Sequence, residues 1–234
     1  MRHKTMTKRI LVIAAHPDDE ILGCGATMSK HTRQEDEVWS LILGEGITSR
    51  TGMTEGEKKS ALDKLQADAR SANSVVRAKR LILEKFPDNS FDSVPLLTII
   101  HAIEKITDEF MPDIIYTHHP GDVNIDHHLT FRAVEAVTRP MENSSINLVL
   151  AFEVASSTEW NFAKSNIFRP NFFNQIEKMD LTKKLKAMKS YQSEVREFPH
   201  PRSLKYLEAQ AIVRGGQSGF LLAEAFQLIY KRVA

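Results

Sequence analysis

The stretch Leu11-Val12-Ile13-Ala14-Ala15-His16-Pro17-Asp18-Asp19-Glu20 decides the predicted fold. Its first five residues are apolar, which is typical of a strand buried on both faces of a parallel sheet. Pro17 marks the point where that strand ends. Because ligands bind at the carboxyl ends of strands in open α/β sheets, we expect His16, Asp18 and Asp19 to face a crevice. Imidazole and carboxylate together predict a metal site there, although a solvated polar turn is the alternative for this segment taken alone.

A second group of possible ligands follows another apolar run, residues 114–117. Histidine with carboxylate is the mix that borderline divalent metals bind, and two histidines with one carboxylate leave coordination positions open for water and substrate. The pattern predicts a catalytic rather than a structural metal site. Only one of the histidines needs to bind, and the others are alternatively surface or helix-capping residues. The candidate ligands in this segment are His118, His119, Asp122, Asp126, His127 and His128.

The two segments resemble the motifs of the PIG-L or LmbE-like superfamily of zinc-dependent N-deacetylases. The resemblance rests on Ala-His-Pro-Asp-Asp-Glu at residues 15–20 and on an Asp-x-x-x-Asp-His element at residues 122–127. Similarity to this group extends along most of the chain, at residues 43–46, 156–160, 200–203 and 223–226.

By position, the resemblance implies one Zn²⁺ ion per chain, held by His16, Asp19 and His127, with Asp18 as the general base. It also implies a small-molecule substrate, an N-acetylated sugar or a sugar conjugate. A two-histidine, one-carboxylate set suits Fe²⁺ as well. Zinc held by three protein groups lowers the pKa of bound water from about 16 to roughly 7, and Asp18 can accept the proton. Attack on an amide carbonyl would release acetate and a free amine.

Asn124, which lies three residues before His127, departs from the resembled pattern. Several members of the superfamily carry a histidine there, assigned to stabilise the tetrahedral intermediate. An amide donates a hydrogen bond to an oxyanion, but it cannot protonate a leaving amine. Either Asp18 serves as base and then as acid, or another histidine enters the site. The candidates for that histidine are His118, His119 and His128.

Other candidates are less specific. Asp126 is either a partner that orients a metal ligand or the N-cap of a helix over residues 129–137. Trp160 and Phe162 are possible stacking partners for a sugar ring, or else core or contact residues. Four residues in loops are candidate substrate contacts, each alternatively a plain surface residue: Glu45, Arg50, His200 and Arg202.

Composition fits one ordinary globular domain over residues 1–234, since a chain of 234 residues buries roughly 70–75% of its unfolded surface. The net charge of +1 gives no electrostatic argument for a nucleic-acid or anionic membrane partner. The lone cysteine, Cys24, suits a reducing compartment. No apolar run is long enough for a transmembrane helix or a signal peptide, so we expect a cytoplasmic protein. The oligomeric state is not predicted.

Alternating strand and helix patterns predict an α/β fold, a Rossmann-like and mostly parallel sheet with helices on both faces. Residues 215–219 are expected to form a flexible loop, and a late strand or hairpin over 225–230 to close the sheet edge. The predicted helices span 54–78, 94–110, 178–194 and 201–213. The other predicted strands span 9–15, 38–43, 80–83, 113–117 and 147–154.

Three other functions deserve comparison. Residues 23–28 open like a dinucleotide fingerprint, but Met28 replaces the third glycine, which argues against nucleotide binding. The triplet Asp126-His127-His128 also occurs in DHH phosphoesterases, which makes a metal-dependent phosphoesterase the main alternative. A catalytically silent carbohydrate-binding protein of the same fold is the third. Such a protein would not need a base beside the metal, so the intact motif argues against it.

Overall fold

The structure, a computed structural model, describes residues 7–47, 52–142, 144–162 and 165–233. Its strands are β1, Arg9–Ala14; β2, Glu37–Gly44; β3, Arg80–Phe86; β4, Ile114–His118; β5, Leu148–Phe152; β6, Phe172–Gln175; and β7, Ala223–Lys231. Its α-helices are α1, Asp19–Arg33; α2, Glu55–Val75; α3, Leu96–Phe110; α4, Ile125–Val137; α5, Lys178–Ser190; and α6, Leu204–Ser218. Short 3₁₀ turns occupy Phe91–Ser93 and Thr158–Trp160.

The seven strands of the described segments belong to one sheet, in the order β3-β2-β1-β4-β5-β7-β6. The first five run parallel, whereas β7 is antiparallel to β5 and β6 is antiparallel to β7. Helices cover both faces. The predicted fold class, a single-domain α/β protein with a mostly parallel, Rossmann-like sheet, is confirmed.

The sheet has a hydrophobic core on each face because β1 points alternate side chains to opposite sides. Val12 and Ala14 join the core that α1, α2, α5 and α6 cover. Ile13 and Ala15 join the core beneath α3 and α4. Residues 10–15 are fully buried, as a central parallel strand requires. The polar residues that follow Ala15 therefore emerge at the carboxyl edge of the sheet.

The four predicted helices are present as α2, α3, α5 and α6, with shifted ends. Thr54 caps α2 in a capping box with Glu57, which explains its sharp start. The helix predicted over 129–137 begins earlier, at Ile125, because Asn124 is its N-cap. Within the described segments, no helix combines the length and the apolar character needed to cross a membrane.

The glycine-rich segment 215–219 is not the flexible loop that its composition predicts. Residues up to Ser218 continue α6, and the helix ends at Gly219, whose φ of +75° lies in the left-handed region. A Cβ atom on Gly215 would lie 2.7 Å from the carbonyl oxygen of Leu221. Close packing of the next turn, rather than flexibility, explains the glycine at 215.

The predicted late strand is β7, but it does not close the edge of the sheet. It pairs with β5 on one side and β6 on the other, so β6 is the edge strand. The sequence pattern misses β6 because only four residues form it and Asn174 and Gln175 interrupt its apolar character.

Helix α1 is also missing from the sequence prediction. Gly23 and Gly25 lower its helix propensity, and apolar and polar residues alike are buried, so no amphipathic period is visible. A Cβ atom on Gly23 would overlap the ring of Phe152. Gly23 therefore allows α1 to pack closely on the end of β5, whereas a Cβ atom on Gly25 would lie 3.0 Å from Ile21 and 3.2 Å from Lys184 of α5.

A buried ion pair joins α1, α5 and β7. Nζ of Lys184 lies 2.6 Å from Oε1 of Glu224 and donates to the carbonyl of Leu22 at 2.8 Å. Glu224 also accepts the backbone N–H groups of Ala26 and Thr27, at 3.2 and 2.6 Å. These N–H groups follow the non-helical residue 24, where α1 has a kink. Glu224 therefore caps the second half of the helix.

We predict that Lys184→Met lowers the free energy of unfolding by about 3–5 kcal/mol, because it leaves Glu224 buried without its counter-charge. Chemical denaturation measures this change. The matched control is Lys186→Met on the exposed side of the same helix, expected to change stability by no more than about 0.5 kcal/mol. Equal stability of the two variants would contradict the role given to the pair.

Candidate active site

A cleft of about 430 Å³ opens beside the carboxyl ends of the parallel strands. Its walls come from the loops after β1 to β5 and from the segment between α5 and α6. The lining residues are His16, Pro17, Asp18, Gly46, Asp88, Asn89, Val123, Asn124, His127, Ser156, Ser157, Trp160, Glu194 and Arg202.

The side chain of Asp19 is the point on which the predicted metal ligands converge. Its Oδ2 atom lies 3.3 Å from Nδ1 of His16 and 3.2 Å from Nε2 of His127. The same oxygen accepts a hydrogen bond from the backbone N–H of His16 at 2.8 Å. Ligand atoms of the three side chains all lie within 4.8 Å of one another. Two imidazoles and one carboxylate at this spacing form a donor set that fits a divalent ion.

The other ring nitrogen of His16 faces a second carboxylate. Its Nε2 atom lies 2.9 Å from Oδ2 of Asp126, which is completely buried. Oδ1 of Asp126 accepts the backbone N–H of Phe91 at 2.9 Å, so the carboxylate cannot swing away from the ring. A carboxylate on the far nitrogen is the usual partner of a metal-binding histidine.

His127 has the same arrangement. Its Nδ1 atom lies 3.2 Å from Oδ2 of Asp122. The hydroxyl of Thr158 donates to that carboxylate at 2.8 Å, and the hydroxyl of Ser157 donates to its other oxygen. Each imidazole thus has one nitrogen toward Asp19 and the other toward an anchored carboxylate, which fixes the orientation of both rings.

Carboxylates outnumber imidazoles in this cluster and raise the pKa values of His16 and His127. Burial alone would lower the pKa of His16, but Asp126 and Asp19 raise it to about 10. Burial would likewise lower the pKa of His127, but Asp19 and Asp122 raise it to about 9. Burial would raise the pKa of Asp19, yet the neighbouring imidazoles hold it well below its usual range. The site therefore favours positive charge at its centre.

Asp18 lies beside this cluster without joining it. Its backbone φ of +107° is rare for a residue other than glycine. It is the N-cap of α1, but its side chain makes no capping hydrogen bond and faces the cleft. Oδ2 of Asp18 lies 3.0 Å from Nη1 of Arg202. Burial raises the pKa of Asp18 well above its usual range, although the charge of Arg202 opposes the shift.

Asn124 lines the cleft and has a second task in the fold. Its side-chain oxygen caps α4 by accepting the backbone N–H of Asp126 at 2.8 Å. Its Nδ2 atom donates to Oδ1 of Asn89 at 2.9 Å. The amide has two N–H groups, so one donor is left over for a ligand in the cleft. Because Asn124 is the N-cap of α4, Asp126 does not cap that helix. Asp126 does contact His16, a predicted metal ligand.

Of the other histidines of the second segment, His118 lies against the cluster, with Nε2 3.6 Å from Oδ2 of Asp19, whereas His119 and His128 contact backbone carbonyls. Nε2 of His118 accepts the backbone N–H of Ala15 at 2.8 Å, and its ring stacks on His127 at 3.9 Å. Nε2 of His119 lies 2.8 Å from the carbonyl oxygen of Asn166. Nε2 of His128 contacts the carbonyl of Asp122. None of the three is among the residues that line the cleft.

The predicted substrate contacts have different positions. Arg202 lines the cleft, whereas Glu45 and His200 are not among its lining residues. His200 supports the loop, since its Nδ1 atom accepts the backbone N–H of Arg202 at 3.1 Å. Arg50 lies outside the described residues. Trp160 lines the cleft and is 43% exposed, while Phe162 is 89% exposed and is not among the lining residues.

Sequence reasoning misses several residues at the site. Asp88 follows β3, as His16 follows β1, and its Oδ1 atom lies 3.5 Å from Nε2 of His16. The Pro-Asp-Asn turn at 87–89 gave the same signal of a strand followed by polar residues. Glu194, whose Oε2 atom lies 3.0 Å from Nη1 of Arg202, has no such signal.

Fold and site together define an α/β protein with a candidate catalytic metal centre of two imidazoles and one carboxylate. The chain belongs to the PIG-L family, described as GlcNAc-PI de-N-acetylase, which it matches over residues 11–138. The resemblance stated from the sequence motifs is therefore confirmed.

Known proteins similar to this chain include deacetylases. It is 29% identical over 236 aligned residues to diacetylchitobiose deacetylase of Thermococcus kodakarensis, covering 95% of this chain and 83% of that protein. The solved N,N'-diacetylchitobiose deacetylase of Pyrococcus horikoshii has a TM-score of 0.76 at 18% identity, covering 96% of this chain and 85% of the other. GalB of Pseudomonas putida, a 4-carboxy-2-hydroxymuconate hydratase, has a TM-score of 0.72 at 20% identity, covering 97% and 98%. At these identities the two structures show the fold alone.

We predict that His127→Ala abolishes stoichiometric Zn²⁺ binding, and that Asp122→Asn weakens it about 10–100-fold because the ring of His127 loses its carboxylate partner. Titration with Zn²⁺, followed by calorimetry, measures both effects. His101→Ala, on the exposed face of α3, is the control and should bind like the wild type. Wild-type affinity in Asp122→Asn would show that this carboxylate does not support the ligand.

Proposed function

We propose that this protein is a metal-dependent N-deacetylase that hydrolyses the N-acetyl amide of an amino sugar or sugar conjugate. The observation that carries the proposal is the convergence of His16 and His127 on Asp19, with the carboxylate of Asp18 beside them in an open cleft. The family description and the diacetylchitobiose deacetylase relative support the choice of amide and of sugar.

We assign His16, Asp19 and His127 as the ligands of one Zn²⁺ ion, with Fe²⁺ as the other candidate. When bound, such an ion acts as a Lewis acid and lowers the pKa of water. Asp126 and Asp122 keep the two imidazoles turned toward it. A fully buried Asp126 makes that restraint rigid, since moving the carboxylate would leave a buried charge without partners.

Asp18 is the proposed general base. Its carboxylate lines the cleft and is not one of the converging ligands, so it is free to accept the proton of the attacking water. Arg202 keeps this carboxylate at one place through the 3.0 Å ion pair. A pKa raised by burial makes Asp18 more basic than an exposed aspartate, and the same group then returns the proton to the leaving amine nitrogen.

Asn124 is the proposed donor to the developing oxyanion. Its oxygen is committed to the α4 cap, which holds the amide plane and leaves the Nδ2 side toward the cleft. Trp160, which also lines the cleft, offers an exposed indole on which a sugar ring can stack. The cytoplasmic location and the extent of the domain over residues 1–234 stay predictions.

The proposal is tested by purifying the protein without added metal, measuring metal per chain, and assaying acetate release from a panel of N-acetylated amino sugars. We expect about one zinc or iron ion per chain and release of acetate. Hydrolysis of phosphodiesters to a phosphomonoester and an alcohol, with no acetate released from the sugars, would instead favour the phosphoesterase. A preparation that lacks metal and takes none up on reconstitution would rule out the mechanism.

Asp18→Asn should retain metal and lose about 10²–10⁴-fold in kcat, because the amide cannot accept a proton. Metal content and steady-state kinetics on the acetylated substrate measure the two effects. Asp108→Asn, on the exposed face of α3, is the matched control and should behave like the wild type. A wild-type rate in Asp18→Asn would refute the assignment of the base.

Asn124→Asp separates the two tasks of Asn124. Aspartate caps a helix as well as asparagine does, so the cap should be kept, and loss of the hydrogen bond to Oδ1 of Asn89 should lower stability by only about 0.5–1.5 kcal/mol. It has no N–H to donate, and kcat should fall by about 10²–10³-fold, as for loss of an oxyanion donor. Asn124→Ser caps without adding charge and replaces the amide N–H groups with one shorter hydroxyl, so it distinguishes loss of the amide donor from repulsion by a new carboxylate. Full activity in both variants would contradict the proposed donor.

A further inference from the structure

A buried polar chain connects Asp18 to α2, to β2 and to the residue that follows α5. Glu20 is completely buried in the first turn of α1. One of its oxygens, Oε2, accepts the backbone N–H of Asp18 at 3.1 Å. The other, Oε1, accepts the hydroxyl of Tyr191 at 2.6 Å and Nδ2 of Asn73 at 2.9 Å. Asn73 in turn accepts the hydroxyl of Ser40 at 2.7 Å.

Asp18 needs such a support because its backbone is strained. Its φ of +107° and ψ of −28° are costly for a residue with a Cβ atom and persist only where the surroundings impose them. The hydrogen bond from its N–H to Glu20 is a direct restraint on that peptide plane. Glu20 performs here what the acidic residue of a capping box does, reaching back to the N-cap backbone.

Tyr191 fixes the carboxylate of Glu20 from outside the motif. Its ring is fully buried just after α5, and its hydroxyl makes the shortest hydrogen bond that Glu20 receives. It lies 171 residues from Glu20 in sequence and outside residues 11–138, the part that matches the family. The family motif thus depends on a contact from the C-terminal part of this chain.

We propose that Glu20 and Tyr191 are positioning residues that hold the strained backbone of Asp18 so that its carboxylate stays aimed into the cleft. This inference rests on the proposed function of Asp18 as general base. Neither residue lines the cleft among the described residues, so their effect on the reaction passes through Asp18. The geometry requires both oxygens of Glu20, since each one serves a different neighbour.

Tyr191→Phe tests the proposal, because it keeps the ring and removes only the hydroxyl. We expect the Asp18 amide to exchange with solvent deuterium about 10-fold faster and kcat to fall about 10-fold, with metal per chain unchanged. The value of KM should stay within about 2-fold, since the substrate is not contacted. Tyr206→Phe, a half-buried tyrosine on α6, is the control and should change neither the exchange rate nor kcat.

A double-mutant cycle with Glu20→Gln separates positioning from plain structural support. In this variant one oxygen of Glu20 becomes an N–H₂ group, which faces the N–H donor of either Asp18 or Asn73. Two donors cannot form a hydrogen bond with each other, so the variant breaks the chain at its centre. If Tyr191 acts through Glu20, Tyr191→Phe should have no further effect on kcat in the Glu20→Gln background. Additive losses would overturn the proposal.

Amide exchange also separates this inference from the proposed function. Faster exchange at Asp18 in a protein that releases no acetate would uphold the restraint and reject the deacetylase. An unchanged exchange rate in Tyr191→Phe would reject the restraint, whatever the catalytic rate. If Glu20→Gln fails to fold, exchange and kcat in Tyr191→Phe alone decide the question.

Discussion

The hydrogen bond from the backbone N–H of Ala15 to Nε2 of His118 ties the end of β1 to the end of β4, and the site depends on that junction. The two strands are parallel neighbours, with Val12 opposite Tyr116, so their carboxyl ends lie side by side. Beyond the junction, the turn after β1 leads to Asp19 at the start of α1, and the loop after β4 leads to His127 in α4. Parallel pairing thus brings together two proposed ligands that are 108 positions apart in the sequence. His118, which is not one of the proposed ligands, makes this junction by using its Nε2 atom as a hydrogen-bond acceptor.

Much of the fold follows from local patterns. The buried run of β1 and the alternation of elements predict a parallel sheet, because only strands covered on both faces are apolar throughout. The same reasoning fails for α1, where Gly23 allows close packing on β5, and for β6, where Asn174 and Gln175 follow directly on two phenylalanines. It also fails at residues 215–219, where glycine makes room for a neighbouring turn. In each case tertiary packing, which the sequence pattern does not contain, determines the outcome.

The site divides in the same way. The proposed metal ligands and the proposed base stand in two short motifs, so their residue types and spacing are sufficient to nominate them. The anchoring role of Asp122 is not visible in sequence, because it depends on hydroxyls that arrive from the loop after β5. Arg202 is predicted as a substrate contact and is found in an ion pair with Asp18. Arg202 and Asp18 are 184 positions apart in the sequence, and a local sequence pattern cannot predict a contact between residues so far apart.

The ion pair between Asp18 and Arg202 also has an evolutionary consequence. The proposed metal ligands lie within residues 11–138, whereas Arg202, Glu194 and Tyr191 belong to the C-terminal part of the chain. Substitutions in that part can change the surroundings of Asp18, the proposed general base, while leaving the proposed ligands untouched. A fold organised in this way can acquire new chemistry through substitutions in its C-terminal part alone.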